Sequence, residues 1–303
     1  MNRLLAFAQL MRLPNVFTAM ADIVLGAWAV GAIADSSAVF VCLLLASSLA
    51  YLGGMVWNDW FDIKIDLRER PGRPLPSGRI KSSTAVWLGI GLFAGSIAFG
   101  LLPQLALGRT GSRSMLILGI LLVAILLYDS WLKRTAVGPI AMGACRFLNV
   151  ALGLSAAAGP IPPWGWCLAL AVGLYIVGVT WFAKQEADVS DRGMLQVGAG
   201  IMTCGLVIGL AVPSLAEDTG ARTETWIGFP FALALFGAYL AIAVLAAIRR
   251  PGPEKVQAAV KRSVLGLTLL DATLATALVG VWGLAIALLL VPARLLGRWV
   301  YST

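Results

Sequence analysis

Asn58-Asp-Trp-Phe-Asp-Ile-Lys-Ile-Asp66 closes a long apolar segment and runs on through Leu67-Arg-Glu-Arg-Pro-Gly-Arg-Pro-Leu-Pro-Ser-Gly-Arg-Ile80. If the helix of the apolar segment continues past Trp57, Asn58, Asp59, Asp62 and Asp66 fall at about 0°, 100°, 40° and 80° on a wheel of roughly 100° per residue. All four oxygen-bearing side chains then share one face. Three carboxylates pointing the same way repel one another unless a cation lies between them. A hard divalent ion with oxygen ligands suits them, Mg²⁺ above all, and Mg²⁺ recruits substrate phosphates to its remaining positions. Arg68, Arg70, Arg73, Arg79 and Lys81 follow at once, and a planar guanidinium suits bidentate contact with phosphate oxygens. The expected partner is therefore a diphosphate. Pro71-Gly72, Pro74, Pro76 and Gly78 keep this strip irregular, so that it can fold back over the site as a lid. The plain alternative is a loop whose charges only set topology.

Outward from this stretch the chain is apolar. Of its 303 residues 59% are hydrophobic and only 13% charged, with a mean hydropathy of +0.88, against about 25% charged residues in soluble proteins. Apolar runs of about 20 residues, enough to cross a hydrocarbon core, recur throughout. This composition indicates an all-α, polytopic transmembrane bundle forming one domain over residues 1–303. About nine spans are expected: Val16–Ile33, Val39–Trp57, Thr84–Leu102, Met115–Trp131, Val137–Ala158, Trp164–Ala183, Met194–Val212, Trp226–Ile248 and Val264–Val291. Pro103, Gly159-Pro160, Pro162-Pro163, Pro213 and Pro251 punctuate them.

Alternating sides along these spans puts seventeen Lys and Arg on the motif side and five, including Arg294 and Arg298, on the other, with Arg146 inside a span. By the positive-inside rule the motif loops face the cytoplasm, and the net charge of +8 reflects topology rather than a nucleic-acid partner. Histidine is absent, which removes His-based acid–base chemistry and most zinc sites. Cys42, Cys145, Cys167 and Cys204 each stand alone in an apolar run and read as core residues. The N-terminal apolar run breaks at Arg12 with no small-residue cleavage site, so no removable signal peptide is expected.

The words NDWFDIKID and RPGRPLPSGRI, with the span layout, resemble the UbiA superfamily of intramembrane prenyltransferases. Tyr128-Asp-Ser-Trp-Leu-Lys133-Arg134 resembles that family's Tyr/Lys segment. The resemblance implies a bundle that holds an isoprenyl diphosphate, with Mg²⁺ bridging two acidic motifs and the diphosphate. It further implies ionisation of the allylic C–O bond and capture of the carbocation by a lipophilic acceptor, possibly aromatic. By position, Asn58, Asp59, Asp62 and Asp66 would hold metal and diphosphate. Arg73, Lys133 and Tyr128 would attend the diphosphate, and Trp57, Trp60, Phe61, Trp181 and Phe182 either face the cation or pack the bundle.

The second acidic motif departs from the family pattern. Lys184-Gln-Glu186-Ala-Asp188-Val-Ser-Asp191 offers Glu186, Asp188 and Asp191 as the metal ligands, at irregular spacing. An echo between Tyr51…Gly54…Trp57…Asp62 and Tyr175…Gly178…Trp181…Glu186 sets Glu186 opposite Asp62. Gly143-Ala-Cys-Arg146-Phe-Leu-Asn149 and the glutamate-led motif look most like the EboC-type branch. Asp22, Arg146 and Asp271 lie inside spans and cannot face lipid. Arg146 either reaches the diphosphate site or pairs with Asp22 or Asp271, and Arg12 either orients an acceptor or is a topology charge. Two functions follow: Mg²⁺-dependent prenyl transfer in the membrane, or non-catalytic binding or transport of a prenylated lipid or prenyl diphosphate.

Overall fold

A backbone surrounded by hydrocarbon must satisfy its own polar groups, and within one segment only a helix does so. The computed structural model describes residues 3–107, 112–185, 189–218 and 225–301, and among these there is no β-strand. In chain order the helices are α1 (Arg3–Leu10), α2 (Val16–Ala29), α3 (Ala32–Asp35), α4 (Ser37–Phe61), α5 (Ile63–Glu69), α6 (Ser82–Leu107) and α7 (Ser112–Ser130). They continue with α8 (Gly138–Leu154), α9 (Pro163–Phe182), α10 (Arg192–Asp218), α11 (Phe229–Arg249), α12 (Pro253–Val279) and α13 (Leu290–Tyr301). Seven stretches are long and apolar enough to cross a membrane, and α1 with α2, bent by 44°, makes an eighth if counted as one. α8, at 17 residues, is shorter. Each of the nine expected runs thus contains a helix, but the first and last are broken, and not every one has the length of a full crossing.

Two prolines expected between spans lie inside helices instead, Pro103 in α6 and Pro213 in α10. Each removes one backbone hydrogen bond, which in an apolar setting costs less than unwinding the following turn. The last expected span is also different. α12 stops at Val279, and Gly280 turns the chain with φ 68° and ψ −162°, a conformation that only glycine takes without strain. A 3₁₀ helix, Gly280–Leu289, then doubles back, so close that a Cβ on Gly283 would stand 2.5 Å from the Thr276 nitrogen. α13 ends beside α1, where Gln9 Nε2 donates to the Val300 carbonyl at 2.9 Å. Arg294 and Arg298 therefore lie on the motif side, not the far side. The hydropathy run passes through Gly280 unbroken, so a window sees one long span where there is a hairpin.

α2 packs against α4, α8 and α12. Small residues permit this: a Cβ on Gly26 would meet the Val150 carbonyl at 2.4 Å, and one on Gly153 the Ile23 carbonyl at 2.5 Å. With no side chain between the backbones, α2 and α8 touch directly. That contact brings Asp22 beside Arg146 and Asn149.

Candidate active site

α4 carries the motif to the membrane edge and breaks there. Asp62, at φ −92° and ψ 1°, ends α4 and starts α5. The turn stays tight, since Asp62 N–H bonds the Asn58 carbonyl at 3.1 Å and Asp66 N–H bonds the Asp62 carbonyl at 2.9 Å. The acids do not form one bare face, however, because each is already matched to a base. Asp59 Oδ1 accepts from Arg12 Nη2 at 2.9 Å. Arg73 Nη1 lies between Asp66 Oδ2, at 2.7 Å, and Asp59 Oδ1, at 3.4 Å. Asp62 accepts from Lys133 Nζ at 2.7 Å and Arg134 Nη2 at 2.9 Å. Like charges brought together must be compensated, and here the chain compensates them itself.

Arg12 reaches Asp59 through local strain. At φ 46° and ψ 47° it is the one described non-glycine residue with positive φ, a conformation costing about 1 kcal/mol. Such strain at a site is held by surrounding structure; here that structure is the 3₁₀ turn Leu13–Asn15 that opens α2.

The proline-rich strip does fold back, as a packed cap. Leu75 and Ile80 are buried with Ala6, Leu10 and Val56. Arg79 clips the strip by donating to Gln9 Oε1 at 2.7 Å and to the Gly72 carbonyl at 2.6 Å. Of the strip's bases Arg73 turns inward, while Arg68, Arg70 and Lys81 are exposed. Lys133 and Arg134 arrive on a 3₁₀ turn after α7, as the Tyr/Lys segment requires if it is to meet the motif.

Beneath these charges lies a cavity of about 350 Å³. Arg12, Asn58, Tyr128 and Asp129 line its mouth, Leu121, Ile125, Ile176 and Val179 its walls, and Ser47, Arg146 and Asn149 its inner end. From Asn58 to Ser47 is about 16 Å along α4. Asp129 was not singled out by the sequence: it is 2% exposed, and Asn58 Nδ2 donates to its Oδ1 at 2.7 Å. The aromatic faces at the cavity are Tyr51 and Tyr128. Trp57, Trp60 and Phe61 instead cluster with one another, with Trp60 and Phe61 centroids 5.1 Å apart. Phe182 is buried, and Trp181 lies under Lys184 Nζ at 5.5 Å.

Arg146 lines the cavity, but its guanidinium is engaged within the bundle, donating to Asp22 Oδ2 at 2.9 Å and to Thr18 Oγ1 at 3.0 Å. Of the two sequence readings, the pairing holds, with Asp22 as the partner, while the side chain also lines the cavity. Asp191 caps α10 by accepting from the Met194 N–H at 2.9 Å. Glu186 and Asp188 lie outside the described residues, and the echo between Asp62 and Glu186 with them. Its two tyrosines differ in surroundings: Tyr51 faces the cavity, whereas Tyr175 is fully buried and donates to the Ser263 carbonyl at 2.8 Å.

Among the described residues no three acids stand together as a metal cage. The donor set nevertheless fits Mg²⁺, since Asn58, Asp59, Asp62 and Asp66 offer only hard oxygens. A single cationic nitrogen, Arg73 Nη1, already lies between two of these carboxylates.

The profile of the UbiA prenyltransferase family matches residues 17–265. The digeranylgeranylglyceryl phosphate synthase of Thermococcus gammatolerans is 38% identical over 101 residues, 33% of this chain and 36% of that enzyme. The 4-hydroxybenzoate octaprenyltransferase of Pseudomonas fluorescens is 29% identical over 164 residues, 53% of each chain. The match thus spans only about a third to a half of the length of these curated relatives. In fold the likeness extends throughout: a UbiA homologue from Archaeoglobus fulgidus, solved bound to GPP and Mg²⁺, superposes with a TM-score of 0.61 at 14% identity, covering 89% of this chain and 99% of that one. With its helical bundle, its acid–base mouth and a profile match over most of its length, the chain belongs to the UbiA prenyltransferase family.

Proposed function

We propose that this protein is a Mg²⁺-dependent membrane prenyltransferase, moving a prenyl group from an isoprenyl diphosphate to a lipophilic acceptor. The observation that carries the reading is the acid–base cluster of Asp59, Asp62, Asp66, Arg73 and Lys133 set over an apolar-walled cavity. Asn58, Asp59, Asp62 and Asp66 would hold Mg²⁺, with Glu186, Asp188 or Asp191 as further ligands; the ion, when bound, supplies positive charge to the diphosphate. Arg73 and Lys133 bind phosphate oxygens and neutralise the leaving group as the allylic C–O bond breaks. Leu121, Ile125, Ile176 and Val179 hold the prenyl chain and exclude water from the carbocation. Tyr51 and Tyr128 offer it aromatic faces. The acceptor forms the new bond to the allylic carbon and gives up its proton. The whole chain acts as one domain, and the motif side faces the cytoplasm, a reading that the position of Arg294 and Arg298 reinforces.

Purified protein in lipid nanodiscs, given labelled prenyl diphosphate and Mg²⁺, should release diphosphate. Asp62→Ala should lose that release; equal activity in the variant overturns the assignment. One observation favours a second reading, a non-catalytic binder of a prenylated lipid or prenyl diphosphate: Asp191, the described acid of the second motif, is spent on capping α10. Mg²⁺-dependent ligand binding without diphosphate release, with candidate acceptors present, would select that reading.

A further inference from the structure

Away from the acid–base mouth, a second set of charges is sealed in the bundle behind the inner end of the cavity, with Arg146 and Asn149 on the cavity wall. Asp22 on α2, Arg146 on α8 and Asp271 on α12 meet in the middle of the bundle, and both carboxyl groups are 0% exposed. Arg146 Nη1 and Asn149 Nδ2 both donate to Asp22 Oδ2, each at 2.9 Å. Asn149 Nδ2 also donates to the Ala19 carbonyl, and its Oδ1 accepts from Ser47. Asp22 Oδ1 and both oxygens of Asp271 have no donor. The neighbouring phenol, Tyr175, supplies none, because its hydroxyl is given to the Ser263 carbonyl.

Asp271 neighbours Asp22 across the contact between α12 and α2. Two carboxylates cannot be partners as they stand, since both are acceptors only. One arginine between two ionised acids would also leave a net negative charge sealed in the bundle, and a buried charge in apolar surroundings is neutralised rather than endured. A single hydrogen answers both demands: it turns one acid into a donor to the other, and it brings the trio to zero net charge.

We infer that Asp22 and Asp271 hold one shared proton, forming with Arg146 an overall neutral proton-binding site inside the bundle. The trio then carries no net charge, so the gathering of bases that suits an anionic diphosphate is the one at the mouth.

Infrared spectroscopy of the purified protein with ¹³C-carboxyl aspartate tests this directly. At neutral pH the unsubstituted protein should show an isotope-sensitive C=O stretch of a protonated carboxyl, lost in Asp271→Asn and retained in Asp129→Asn. Asp271→Asn should fold with a melting temperature within a few degrees of the parent, because an amide can donate where the carboxyl did. Asp22→Asn, which deprives Arg146 of its counter-charge, should lower it clearly. Absence of the band in the unsubstituted protein overturns the inference, a measurement that does not depend on any variant folding. A band that survives Asp271→Asn, or that vanishes in Asp129→Asn, overturns it as well.

Discussion

The two ends of the cavity solve the same electrostatic problem in opposite ways. At the mouth, Asp59, Asp62 and Asp66 meet four bases whose side chains keep some contact with solvent, from 12% for Lys133 to 48% for Arg134. At the inner end two acids meet one base: Asp22 and Asp271 are sealed at 0%, and Arg146 keeps 15%. An acid with several bases around it can exchange a partner, while one sealed at 0% with a single base cannot lose it without stranding a charge. Under the proposed function the mouth trades its carboxylate partners for a ligand, while the inner end stays as it is. Substitution at the first should therefore change chemistry, and at the second stability.

The sharpest break of that comparison is Asp62→Ala. Losing the acid that anchors both Lys133 and Arg134 should lower diphosphate release by about 1,000-fold, the upper range for a preorganised electrostatic group, with the melting temperature little changed. Arg146→Leu should do the reverse, costing about 3 kcal/mol of stability by leaving Asp22 buried without its cation, as read by thermal or denaturant unfolding. Asp129→Ala should separate positioning from folding. Asn58 then loses its acceptor, and prenyl transfer should fall about tenfold, in line with a hydrogen bond to a charged group; Asp129→Asn, which can still accept from Asn58, should restore part of it, and metal titration should weaken in parallel. Arg134→Ala, at the most exposed pair of the mouth, should have the smallest effect, under about 1 kcal/mol, seen as a less than fivefold rise in KM for the diphosphate.

The acidic half of the mouth was legible in the sequence because Asn58 to Arg73 form one contiguous stretch. The spacing of Asn58, Asp59, Asp62 and Asp66 and the arginines behind them is a local pattern, and the Tyr128–Lys133 segment carries a family likeness. The inner end was legible only as a rule, that Asp22, Arg146 and Asp271 must each find a partner. Which partner depends on α2 and α8 meeting at Gly26 and Gly153, and no local pattern records that. Asp129 was passed over for the same reason: its role comes from Asn58, 71 residues away in the chain. The helix wheel placed four motif side chains on one face but could not foresee the bases inserted among them. The left-handed backbone at Arg12 and the reversal at Gly280 are single-residue events, to which window averages are blind.

The reversal at Gly280 has a practical side. Because α13 returns to Gln9, and Gln9 also receives Arg79 of the cap, the two ends of the described chain sit on one face, beside the cap. A fluorescent or enzymatic reporter joined after Tyr301 should give the same sidedness as one joined before Arg3. A bulky fusion at that end would press on the cap itself, so assays of this protein are better built with the label on the opposite face.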